Sequence, residues 1–162
     1  MRPFNEKPTR AEADAIVAMP KYITRLPRAR TIGGAARLKT DKIYLPNGAL
    51  SGLSIDIHTS TGKTARGRTP RGVLIYRGCP IRGVDWEVRH EFADGTVVEG
   101  WHEHLWDDRH GRQVGVAFAP PWAMDNDLET LFERVCQHWH IQVGSRYQQR
   151  LREADRGSDG ND

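Results

Sequence analysis

Residues 101–106 read Trp-His-Glu-His-Leu-Trp, and Asp107, Asp108 and His110 follow closely. Alternate residues of a strand share a face, so His102, His104 and Trp106 project together if this segment is extended. Two imidazoles on one rigid ledge can bind a metal, move protons or grip a phosphate. They can equally sit on a solvated sheet face, in mixed charge pairs worth roughly a few tenths of a kcal/mol each. The groups that the neighbouring strand sets against them decide between these roles.

Val84–Phe92 alternates apolar and polar residues, Asp94-Gly95 is a strong hairpin turn, and Thr96–Trp106 returns as the partner strand. A two-residue turn sets Phe92 against Val97, Val88 against Trp101 and Val84 against Leu105. The buried side is then Val84, Trp86, Val88, Phe92, Val97, Trp101 and Leu105. The other side sets Asp85, Glu87, Arg89 and Glu91 against His104, His102, Gly100 and Val98. Each histidine gains a carboxylate across the ladder at a Cβ separation of roughly 5 Å. Such a partner raises an imidazole's pKa and orients its ring, which suits a general acid/base or a phosphate-gripping imidazolium. One extra residue in the loop would slip the register and break the pairing.

Charge is divided unevenly along the 162 residues. Residues 1–84 carry sixteen Lys/Arg against five Asp/Glu, and residues 85–162 carry eight against sixteen. No acid stands between Asp14 and Asp41, where Lys21, Arg25, Arg28, Arg30, Arg37 and Lys39 lie. None stands between Asp56 and Asp85, where Lys63, Arg66, Arg68, Arg71, Arg77 and Arg82 lie. Acid-free basic stretches suit a polyanion such as RNA or DNA. The competing reading is that one half of the fold neutralises the other.

The elements that must position these residues follow from pattern. Thr9-Arg10-Ala11-Glu12 is a capping box that opens a helix running through Ala15, Ile16 and Met19 to Pro20. Residues 27–51, rich in Gly, Pro and basic side chains, read as a loop with a short strand at Lys42–Leu45. Leu53, Ile55 and Ile57 alternate with Ser54, Asp56 and His58, a strand with one wet face. Ser60–Lys63 turns the chain, Val73–Tyr76 is a short strand, and Arg77–Gly83 is a connection. After the hairpin, Asp108–Gly111 turns into Gln113–Phe118, and Pro120-Pro121 closes the sheet. Asn126 caps a second helix, with Glu129 as its partner and Leu128, Leu131, Phe132, Val135 and Trp139 on the packed face. Residues 145–156 read as a charged helix or tail, and 157–162 as a disordered tail. The expectation is one α+β domain over 1–156 with its core at about 9–143. Its antiparallel sheet of about five strands is flanked by an N-terminal and a C-terminal helix.

Mean hydropathy is −0.66, and no apolar run reaches the roughly 20 residues of a membrane span. With no apolar leader after Met1, a cytoplasmic location and no membrane contact are expected. Cys79 and Cys136 are then expected as free thiols. Two motifs fail. Gly62-Lys63-Thr64 has Ile57 where a P-loop needs its first glycine, and His102-Glu103 meets Trp106 where a zincin needs histidine. Trp139 of His138-Trp139-His140 reads as core with its neighbours outward, and Cys136 reads as packing.

Several stretches together resemble a bacterial family, the domain of unknown function family 6978. They are Ala11-Glu12-Ala13-Asp14 leading to Lys21, the strand around Ile55-Asp56-Ile57, Lys63…Arg66…Arg68, Asp94-Gly95, His102-x-His104 and the helix ending Trp139-His140-Ile141. The resemblance spans about residues 9–143. The chain departs from it at Phe92-Ala93, where the family has Asn-Pro, and at Trp106-Asp107-Asp108, where it has Glu-Gly-Tyr. The resemblance implies a mobile-element, toxin–antitoxin or conflict setting, and no established reaction.

The leading expectation is a small cytoplasmic RNA-acting protein of the bacterial toxin type, a ribonuclease-like site without metal or other cofactor. Lys63, Arg66, Arg68 and Arg71 would hold the phosphate backbone, of RNA rather than DNA. His102 and His104 would transfer protons with Glu87 and Asp85 beside them, and a cognate antitoxin or host protein would be a second partner. A different class is a non-enzymatic binding protein of a phage or mobile element that inhibits a host defence or nucleic-acid-binding system. A third reading has His102, His104 and a carboxylate, Asp85 or Glu87, chelate one ion.

Overall fold

The computed structural model describes residues 7–32, 35–60, 69–92, 94–116, 122 and 127–144. The fold is α+β, with two helices and a mostly antiparallel sheet, but the sheet has seven strands instead of about five.

Helix α1 spans Arg10–Ala18. The Thr9 hydroxyl accepts the Glu12 N–H at 3.2 Å and the Glu12 carboxylate accepts the Thr9 N–H at 2.7 Å, the expected capping box. No basic residue lies in the last turn of α1. The ammonium of buried Lys21 instead donates to the carbonyls of Ile16, Val17 and Met19, which the helix end leaves without partners. Lys21 belongs to β1 (Lys21–Ile23), which pairs in parallel with β9 (Ile141–Val143) as a separate two-stranded unit. The periodicity of such three-residue strands is too short to read from sequence.

The main sheet runs in chain order as an antiparallel meander. Its strands are β2 (Arg30–Ile32), β3 (Ala35–Thr40), β4 (Leu53–Ser60), β5 (Thr69–Tyr76), β6 (Cys79–Glu91), β7 (Val97–Asp107) and β8 (Arg112–Val116). Strands β2 and β3 fill the stretch expected to be loop. Lys42–Leu45 is not a strand; Tyr44 makes isolated bridges to Tyr22 and Leu50. Their pattern hid them, since β3 buries Leu38 alone. Arg77 and Gly78 take φ of 47° and 82°, the left-handed pair of a tight I′ hairpin turn. Strand β6 therefore starts at Cys79, and Arg77–Gly83 is not a connection.

Helix α2 (Leu128–His138) covers one face of the sheet. Its cap is Asp127, whose carboxylate accepts the Thr130 N–H at 2.9 Å, one residue later than Asn126. Leu131, Phe132, Val135, Cys136 and Trp139 pack on Leu38, Ile55, Ile57, Leu74 and Val84. Gly72 makes this close approach possible: a Cβ there would lie 2.9 Å from Ile57 Cδ1 and 3.3 Å from Val135 Cγ1. Both cysteines are buried and free, and burial pushes the Cys136 thiol up to about 12. Among the described residues no helix is long and apolar enough to cross a membrane. Gly62-Lys63-Thr64, Pro120-Pro121 and the expected tail fall outside the described residues.

Candidate functional site

The register of the meander puts polar residues on the face opposite α2. One cross-strand row reads Arg30, Arg37, His58, Arg71, Asp85, His102, each paired with the next across six strands. The row beside it reads Lys39, Asp56, Val73, Gly83, His104. Exposure falls at the inner end of the first row. Arg30 is exposed, the side chains of Arg37, His58 and Arg71 are 39, 32 and 40% exposed, Asp85 is 15% exposed, and His102 has no exposed surface.

The hairpin does not have the expected register. The Phe92 N–H donates to the Thr96 carbonyl at 2.8 Å, so the loop carries three residues, and Gly95 takes φ of 84°. A second one-residue shift follows between Glu87 and His90, where β6 has one more residue than β7. The two slips sum to two, so residues 82–87 keep the expected faces but change partners. Asp85 lies opposite His102 instead of His104, Glu87 opposite Gly100 instead of His102, and His104 opposite Gly83. The bulge also reverses the alternation beyond it. His90 and Phe92 thereby join the histidine face, and Val97 is 41% exposed instead of buried. Val84 and Trp101 are buried as expected, with Trp86 and Leu105 half-buried.

The result is a cluster of three histidines. The rings of His90 and His102 stack with centroids 4.4 Å apart at 20°, and His104 meets them edge-on at 5.5 and 4.8 Å. Phe92 closes one side, its ring 4.8 Å from His90 and 5.8 Å from His102. His90 Nδ1 is 2.7 Å from Glu87 Oε2, and His102 Nδ1 is 3.3 Å from the Gly100 carbonyl oxygen. Asp85 Oδ1 lies 3.1 Å from His104 Nε2 and 3.9 Å from His102 Nε2, the nearer contact too poorly aligned to be a good hydrogen bond. Six buried side-chain polar atoms of the described residues have no hydrogen-bond partner. Five of them share this face: His58 Nδ1, Arg71 Nε, Asp85 Oδ1, His102 Nε2 and His104 Nε2.

Electrostatics sharpen the contrast within the cluster. Burial pushes the Asp85 carboxyl up, but the His104 contact and the charges of His104, Arg71 and His102 outweigh it, and the group sits below the usual carboxylate range. Burial dominates at His102, outweighs the Asp85 charge, and pushes the imidazole down towards its neutral form. Further along the face, Asp56 is held below its ordinary value. Burial raises it, and the hydrogen bond and charge of Arg37 more than offset that.

On the α2 side, Glu103 carries a separate network. Its Oε1 accepts Trp139 Nε1–H at 3.2 Å and lies 3.7 Å from Arg82 Nε, and its Oε2 lies 3.2 Å from His138 Nε2. Arg82 also pairs with Asp14 of α1. These groups tie both helices to the sheet, and His138 faces inward rather than outward. Asp107 and Asp108 serve the fold too. Asp107 binds His110 at 2.9 Å, and Asp108 accepts the N–H of Arg10 at 2.9 Å.

Of the sequence-derived site, the structure brings together Asp85, Glu87, His102, His104 and Arg71, whose Nε lies 3.9 Å from Asp85 Oδ2. Lys63, Arg66 and Arg68 fall outside the described residues. Sequence reasoning missed His90, and named Arg30 and Arg37 only as cations of a basic stretch without placing them on this face. The alternation around His58 marked it as wet-faced, but nothing local reveals a bulge. At the outer end of the row, Arg25, Arg28, Arg30, Arg37, Lys39 and Lys42 line a groove of about 600 Å³. Comparison with family models, with curated proteins and with solved structures finds no match.

Proposed function

We propose that the chain acts on RNA, with the phosphate backbone lying along the polar face from the basic groove to Arg71 and meeting the cluster at Asp85 and His104. The observation that carries this reading is the cross-strand row itself. It aligns Arg30, Arg37 and Arg71 on one face and leads to an ionised carboxylate among imidazoles. Neighbouring strands are spaced about 4.8 Å apart, so the row from Arg30 to His102 extends roughly 24 Å, room for several nucleotides. Guanidinium groups grip phosphate bidentately, and a cation is what a phosphorane needs beside it. RNA rather than DNA fits because its 2′-hydroxyl supplies the nucleophile for cleavage.

The role of the histidines is narrower than the sequence implies. His102, without exposed surface, does not reach a substrate, whereas Asp85 and His104 are each 15% exposed. The test is binding and cleavage of labelled single-stranded RNAs, with DNA of the same sequences as control. Arg71→Ala is expected to weaken binding across all sequences and to lower the salt slope by about one, and Arg37→Ala, which loses a guanidinium already paired with Asp56, by less. Wild-type protein that neither binds nor cuts any of several RNAs overturns the reading.

A further inference from the structure

We propose that His90, His102, His104 and Asp85 form a binding site for one divalent first-row transition ion of the zinc class. This inference goes beyond the RNA reading and stands independently of it.

The tautomers come first. A carboxylate and a carbonyl oxygen can only accept, so His90 Nδ1 donates to Glu87 and His102 Nδ1 donates to Gly100. Both rings therefore hold their lone pair on Nε2. An imidazole whose outer N–H is fixed by a carboxylate or a main-chain carbonyl is the usual form of a metal-ligating histidine.

The inner atoms come next. His102 Nε2, His104 Nε2 and Asp85 Oδ1 are buried without hydrogen-bond partners, and they converge. The Asp85 oxygen is 3.1 Å from one nitrogen and 3.9 Å from the other. One ring nitrogen from each of His90, His102 and His104 lies within 4.8 Å of the other two. Tetrahedral ligands at 2.0–2.1 Å from an ion stand about 3.4 Å from one another. The carboxylate distances bracket that value. Leaving such buried polar atoms unpaired costs about 1–3 kcal/mol each, and a cation satisfies all of them at once.

The surroundings select the ion. The His90 ring stacked on His102 and the edge of Phe92 cover one side of the cluster. Three imidazoles and one carboxylate suit zinc, nickel, copper or iron rather than magnesium or calcium. Glu87 could compete as a ligand beside Asp85 and His102. Its contact with His90 makes it the outer partner that orients that ring.

The experiment is a metal titration without RNA, so its outcome is independent of the functional reading. Protein carrying no histidine tag is stripped with chelator and titrated with zinc(II), and in parallel with cobalt(II) to read the visible bands of a four-coordinate ion. One ion per chain with a Kd of about 0.1 μM or tighter is expected. His90→Ala, at a side chain 26% exposed, should weaken binding at least tenfold. The His90→Ala/His104→Ala double variant should abolish it. Glu87→Gln should keep the 1:1 stoichiometry and lose about tenfold in affinity, as outer partners do. His110→Ala, at the exposed turn, should change nothing. The proposal is overturned if folded wild-type protein takes up no ion at micromolar concentration. Undiminished binding by the double variant, with circular dichroism showing it folded, overturns it equally.

Discussion

Lys21 shows how one side chain can replace a missing cap. It has no exposed surface, and its three carbonyl partners are the loose end of α1. Burial pushes its pKa down from 10.5 to about 8. Below about pH 8 the folded and unfolded chains are both protonated, and the penalty is constant. Between about 8 and 10.5 the unfolded chain retains a proton that the folded chain has released, so stability rises with pH. At about 1.4 kcal/mol per pKa unit the ceiling over this window is on the order of 3 kcal/mol. Urea midpoints measured from pH 8 to 10 should climb in the wild type and stay flatter in Lys21→Met. Equal slopes in the two proteins would show that another group titrates. The burial of Lys21 was not legible in the sequence, because it depends on a three-residue strand pairing with one more than a hundred residues later.

At the scale of elements, the histidine hairpin separates what pattern can reveal from what it cannot. Both strands, the Asp94-Gly95 turn, the polar face and the core roles of Val84 and Trp101 follow from period-two alternation. The capping box at Thr9 and the apolar face of α2 were equally plain, since each is local. The partner of every histidine was not, because register depends on loop length and on a bulge that has no strong residue signature. One backbone position shows the bulge indirectly. Gly100 takes φ of 88°, sits opposite Glu87 where the register shifts, and supplies the carbonyl that holds His102. A side chain there is strained in the left-handed region, and a Cβ would meet Trp86 Nε1 at 3.6 Å. Gly100→Ala should therefore destabilise the protein by about 1–2 kcal/mol in denaturant melts. It should also weaken zinc binding by loosening His102. A melt unchanged from wild type would mean that the bulge tolerates an L-residue.

At the scale of the molecule, the charge asymmetry of the chain becomes a spatial one. The six cations of the groove lie at one end of the polar face, Asp56, His58 and Arg71 follow, and Asp85 with His90, His102 and His104 lies at the other end. If about five phosphates of a single strand are neutralised, log Kobs should fall with log salt at a slope near −3.5. A slope close to zero, measured by anisotropy between 50 and 200 mM salt, would remove the polyanion from consideration. On the proposed RNA reading, the burial of the inner end of the row then divides the work in time. Two unit charges 4 Å apart interact by about 1 kcal/mol in bulk water and about 4 kcal/mol near a protein surface of lower dielectric. The outer cations act through water that salt screens within about 8 Å, so on that reading they would govern how often a strand arrives. Arg71, with its Nε buried beside Asp85, would govern how long it stays. Added salt should slow capture, and loss of Arg71 should hasten escape, so arrival and residence would be set at different points along one row of side chains.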